Sequence, residues 1–295
     1  MEIWRKRQLW SVGAAVVLAA FAGAGARAQE PFLRQDGPAH PFSANGEQAA
    51  GPSGIRNVAP AIPVEQIIQK FGAREEELKR ERENYTYEQT FMIQTVDADG
   101  QVDGEERMTE DIVFTPAGKR YEVVTDAPAP TLQRIMLTQE DLDDLIHIQP
   151  FVLTTDKLPL YDITYLGQEH VDELDTYVFD VAPKKIEKHQ RYFQGRIWVD
   201  QKDLEVVKTY GKAVPDIRKN GYENVFPKFE TIRENIEGDY WFPTYTHADD
   251  YLHFTGQPSV HIRMTVRYRN YKRFGVQIKI GAPREVKPEK PPQKP

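Results

Sequence analysis

From Asn84 onward, apolar and polar residues alternate with a period of two. Tyr85, Tyr87, Gln89, Phe91 and Ile93 share one face of a predicted strand. Asp97-Ala98-Asp99-Gly100 then reads as a hairpin turn, because Asp-Gly tolerates positive φ. Met108, Glu110, Ile112 and Phe114 alternate next, and Pro116–Lys119 turns the chain into Tyr121 and Val123, completing a β-meander. A second strand run is predicted over 161–167, 176–181, 191–200, 204–210, 228–236, 240–254 and 259–274. In the last of these, Val260, Ile262, Met264, Val266 and Tyr268 take one face, and His261, Arg263, Thr265, Arg267 and Arg269 take the other. Strands with one apolar and one wet face belong to an antiparallel sheet, and a sheet of this many strands curls or splits.

Two segments break the period. Residues 63–83 predict a helix: Val64, Ile67, Ile68, Phe71 and Leu78 recur near helical spacing, and Pro63 suits a first turn. Its far half, Arg74 onward, is almost wholly charged and reads as a solvated face. Residues 126–159 carry Pro128, Pro130, Pro150 and Pro159 around a capping box, Thr138 with Asp141, that feeds Leu142, Leu145 and Ile146. This is a long, partly helical insertion of the kind that forms lids and binding loops. The fold class expected is therefore mainly β (α+β): a curved antiparallel sheet covered by an N-terminal helix and a helical insertion.

The flanks have different compositions. Arg5, Lys6 and Arg7 precede a short apolar run from Leu9 to Phe21 and an Ala26-Arg27-Ala28 cleavage site, the three parts of a secretory signal peptide that predicts Gln29 as the mature N-terminus. The run is shorter than the roughly 20 residues a spanning helix needs. Residues 29–62 read as a flexible leader, and 276–295, with Pro283, Pro288, Pro291, Pro292 and Pro295, as a solvated Pro/Lys-rich tail. The domain between spans 63–275. No later apolar run is long enough to cross a membrane, so a periplasmic location is expected after cleavage.

The chain has no cysteine, which excludes disulfides, thiolate metal sites and a cysteine-anchored lipid. Its formal charge of -7 becomes -10 without residues 1–28, which hold four cations against Glu2. That balance disfavours nucleic acid and anionic bilayers as partners. No nucleotide-binding glycine loop, nucleophile elbow or zinc-protease helix is present. His247, Asp249, Tyr251 and His253 share a strand face and are candidate metal or proton-relay groups, or simply an exposed polar face with Ala248, Leu252 and Phe254 buried behind it. Glu105, Glu106, Glu110 and Asp111 offer carboxylates for acid/base work, or surface charge. Arg263, Arg267 and Arg269, with Lys272 and Arg273, form the one dense basic patch. It is a candidate docking surface for an acidic partner, or the cross-strand complement of Glu230 and Glu234.

Aromatic residues (14 Phe, 14 Tyr and 4 Trp) fall mostly in the strands, where they fill a core or line an apolar cavity inside a half-closed barrel. The segment Tyr192–Asp200 (YFQGRIWVD), followed by Leu204–Lys208 (LEVVK), resembles the G-x-x-W-[VI]-D hairpin of outer-membrane lipoprotein-sorting proteins, the LolA-like periplasmic carriers. Tyr240–Thr244 (YWFPT) is similar to the strand start that follows it there. The resemblance covers about 63–275, although this chain is longer, with a larger insertion and both termini extended. It implies an incomplete barrel around a helix-covered cavity that receives lipoprotein acyl chains without covalent chemistry.

The function expected is non-enzymatic binding of a lipid or lipoprotein acyl group, with no cofactor and no metal. The apolar face expected to carry the cavity is Phe91, Ile93, Ile112, Phe114, Ile197, Val199, Val207, Ile262, Met264 and Val266. The alternatives are an envelope protein-interaction or stress-sensing module with a filled core, docking partners on the basic strand, and a metal-dependent hydrolase built on His247, Asp249 and His253.

Overall fold

The structure is a computed structural model describing residues 54–114, 119–138, 141, 152–188, 190–219, 222–236, 238 and 240–274. The expected signal peptide, most of the leader, the tail, and the helical turn through Leu142, Leu145 and Ile146 lie outside these residues.

The sheet follows the alternation read from the sequence. Its strands are β1 (Tyr85–Val96), β2 (Val102–Phe114), β3 (Arg120–Asp126), β4 (Tyr161–Val171), β5 (Leu174–Pro183), β6 (Tyr192–Asp200) and β7 (Val206–Val214). After a small separate hairpin, β8 (Ile217–Lys219) with β9 (Tyr222–Asn224), come β10 (Phe229–Ile236), β11 (Tyr240–Leu252) and β12 (Val260–Arg273). Ten strands form one antiparallel, curved and unclosed sheet in the order β3-β2-β1-β12-β11-β10-β7-β6-β5-β4. Among the strand pairs of this sheet, β1–β12 joins the parts of the chain that lie farthest apart. It brings Phe91 opposite Val266 and Ile93 opposite Met264. The Asp97–Gly100 turn forms as its sequence requires: Asp97 Oδ1 accepts the N–H groups of Asp99 and Gln101, and Gly100 takes φ +80°.

Among the described residues one α-helix, α1 (Val64–Arg82), covers the sheet, and the face it covers is the inner face. Ile67 and Phe71 enter the main core beside Phe179, Ile197 and Ile262, and Phe71 meets Phe179 edge-on at 5.7 Å. About two turns further on, Leu78 packs with Tyr85 and Phe242. The charged half of α1 is not uniformly solvated, as its composition predicts: Glu75 is 0% exposed. A buried cation on β10, described below, makes that burial tolerable. No helix among the described residues is long and apolar enough to cross a membrane.

The hairpin motif has structural work to do at each named position. Gly195 and Gly211 are direct partners on β6 and β7, approaching so closely that a Cβ on Gly195 would lie 2.2 Å from the Tyr210 carbonyl oxygen. Trp198 turns to the outer face, donates to Glu169 at 2.7 Å and carries the Lys208 ammonium 4.9 Å above its ring. Asp200 Oδ2 accepts the Lys202 and Asp203 N–H groups and so closes the turn into β7.

Candidate functional site

A cavity of about 590 Å³ opens at one end of the inner face. Its floor is buried Ile93 of β1, Met264 of β12 and Leu252 of β11, three residues from different parts of the chain that the β1–β12 and β11–β12 registers bring together. Half-buried Ile135, Leu137, Val225 and Phe254 form its apolar wall. Exposed Arg134, Met136, Thr255 and Gln257 mark the rim.

The wall is held by polar contacts among residues that also line the cavity, Thr138, Asp141, Glu223 and Thr255. The predicted capping pair forms: Asp141 Oδ2 accepts both the backbone N–H and the hydroxyl of Thr138 at 2.7 Å. Asp141 Oδ1 accepts Asn224 Nδ2 at 2.7 Å, and Asn224 in turn accepts a hydrogen bond from Arg191. The segment ahead of Asp141 is thereby tied to β9 and to the entry of β6. On the far side, Glu223 accepts from the Thr255 N–H and pairs with Arg218, which also donates to the Thr255 hydroxyl. These contacts hold the Glu223 carboxyl below the usual range, the Thr255 hydrogen bond being the largest cause.

Of the ten apolar residues expected on the cavity face, Ile93 and Met264 line this cavity. Phe91, Ile112, Ile197, Val199, Ile262 and Val266 share the same face but belong to the packed core under α1. Phe114 stands apart, half-buried against Phe274 at 5.9 Å. Val207 lies on the opposite face, with Val178 and Trp198. The cause is a β-bulge: Trp198 pairs with Lys208 but Val199 pairs with Val206, which leaves Val207 as the extra residue and gives its inner place to Val206.

The basic stripe faces outward, and its neighbours differ from those the sequence suggested. Arg263 donates to Asp249 at 3.1 Å, and Arg267 lies 5.0 Å over the Tyr245 ring. Arg269 is exposed and opposite Glu88 of β1. Glu230 is engaged elsewhere, by Lys208 at 2.7 Å. The histidines on this side disperse: His261, stacked on Tyr251, contacts Asp249, while His253 contacts Ser259. Among the described residues no three metal-ligating side chains converge. The four carboxylates of β2 divide between faces. Glu106 and Glu110, opposite Ile93 and Gln89, share the inner face but stand four residues, about 13 Å, apart along the strand. Burial raises the Glu106 carboxyl above its usual range.

A second feature had no signal in the sequence. Beneath α1, Glu75 receives Arg233 of β10 through two hydrogen bonds, Nη1–Oε1 at 2.5 Å and Nη2–Oε2 at 3.1 Å. Arg233 also donates to the Val206 carbonyl at 3.2 Å, and the Leu153 N–H donates to Glu75 at 3.2 Å. Glu205, 3% exposed, lies next to this pair. Burial pushes its carboxyl up to about 7, helped by the charge of Glu75 and opposed by Arg233.

No family profile and no curated protein matches the sequence. Among solved structures, a DUF1329 family protein from Desulfovibrio piger aligns over 74% of this chain and 95% of its own, with 17% identity and a TM-score of 0.38. MucB aligns over 69% of this chain and 90% of its own, with 12% identity and a TM-score of 0.23.

Proposed function

We propose that this protein is a periplasmic binding protein without catalytic activity that holds a lipid or lipoprotein acyl chain in the cavity between Ile93, Met264 and the 134–138 segment, within a LolA-like half-barrel. The supporting observation is the cavity itself. Its volume of about 590 Å³ falls within the roughly 300–1,000 Å³ of small-ligand sites, and its floor and much of its wall are aliphatic and aromatic, with Thr138, Asp141 and Glu223 adding polar groups to the lining. Each buried methylene contributes about 0.8 kcal/mol, so an apolar chain is retained with no reactive group. The hairpin at 192–208 supports the half-barrel reading, and the N-terminal Arg5–Ala28 pattern supports export.

The test is titration of the full chain with Nile red, an uncharged dye that brightens in apolar surroundings. A saturable, blue-shifted emission is expected, lost in Ile135→Glu while circular dichroism stays unchanged. Absence of a saturable response in the wild type, or equal affinity in the variant, would overturn the reading.

A further inference from the structure

The rim of the cavity is polar, and its charges are unevenly balanced. Among the described residues the guanidinium groups near it are already held: Arg134 by Asp103 at 2.8 Å, Arg218 by Glu223, and Arg191 by Asn224 and the Pro215 carbonyl. Asp141, by contrast, accepts among the described residues from neutral donors, the Thr138 N–H and hydroxyl and the Asn224 amide, and has no cation paired with it there. Glu106 stands opposite Ile93 on the same inner face as the cavity floor. An anionic headgroup placed at this rim would lose hydration, find no unengaged guanidinium and face carboxylates at short range, where the partly desolvated setting weakens screening.

We propose that the cavity selects amphiphiles by headgroup charge, taking an apolar chain that ends in a neutral or cationic group and rejecting one that ends in a carboxylate or phosphate. This rests on the acyl-binding reading above. Asp141 sets the preference directly, and Asp103 sets it by neutralising Arg134.

The experiment measures binding of three probes with one chain length to the full, delipidated chain near pH 8, below their micellar concentrations: lauroyl glycerol, dodecylamine and laurate. Laurate is expected to bind at least tenfold more weakly than lauroyl glycerol, about 1.4 kcal/mol. Dodecylamine should bind at least as well as lauroyl glycerol. Asp141→Asn should narrow the laurate deficit and reduce the amine's affinity. Asp103→Asn, an exposed substitution that frees Arg134, should strengthen laurate binding several-fold relative to lauroyl glycerol. Equal affinity for all three probes would overturn the charge preference while leaving acyl binding standing. Failure of all three to bind would overturn both.

Discussion

Arg233 of β10 and Glu75 of α1 form a bidentate ion pair with side chains 1% and 0% exposed. It fastens the helix to the sheet at a polar place in the core beneath α1. A buried pair of this kind stabilises little beyond a well-packed apolar replacement, but removing one partner strands the other charge.

Arg233→Ala is therefore expected to cost about 3–5 kcal/mol, because Glu75 would remain buried with only the Leu153 N–H for company. The double substitution Glu75→Leu with Arg233→Met should recover most of that loss. Urea unfolding of the wild type and the two variants checks this. A loss below about 1 kcal/mol for Arg233→Ala would show that α1 is not held through this pair.

Glu205 makes stability depend on pH. Its carboxyl titrates at about 7 in the folded chain, against 4.5 for an unperturbed glutamate. The folded state thus binds more protons than the unfolded state between those values, and stability from this group falls as pH rises from about 4.5 to about 7, then levels off. Glu205→Gln removes the dependence. The stability of the wild type relative to this variant should fall by on the order of 2 kcal/mol between pH 5 and pH 8. A difference that stays constant over that range would contradict the account.

Gly195 and Gly211 test the strand contact behind the hairpin motif. Gly195→Ala forces β6 and β7 apart, since the added carbon would meet the Tyr210 carbonyl and the Gly211 Cα at 2.2 and 2.5 Å. A loss of roughly 2 kcal/mol or more is expected. Gly100→Ala is the control: nothing lies within 4 Å of its Cβ, and only its φ of +80° resists, at about 1 kcal/mol. Thermal unfolding distinguishes the two; equal losses would mean that the close approach carries no stability.

The sheet was legible because its strands are half-buried. The alternation through Val260–Tyr268 and Tyr85–Ile93 maps directly onto inner and outer faces, since a strand with one wet side must alternate. The site was less legible. A face is a local property, whereas the cavity is a gap between elements, and periodicity does not tell Ile93, which lines it, from Phe91, which is packed under α1. The 134–138 and 225–227 stretches that wall it have no regular period to read. Val207 shows a different limit: one bulge residue shifts the parity of a strand without any mark in the sequence. Glu75 and Arg233 are 158 residues apart, so an unremarkable glutamate in a charged helix became a buried ion pair through topology alone. Leu252 and Phe254 were visible as the buried side of β11 and its continuation, and both line the cavity.

The claim that this cavity holds an apolar chain is tested most directly by native mass spectrometry of the full chain, exported in a bacterium and purified from the periplasm without detergent. The account predicts an adduct whose mass matches a lipid released by organic extraction, and its loss in Ile135→Glu and Leu137→Glu variants that remain folded. A mass without adduct, unchanged after mixing with envelope lipids, would contradict it and leave the inner face as protein core alone.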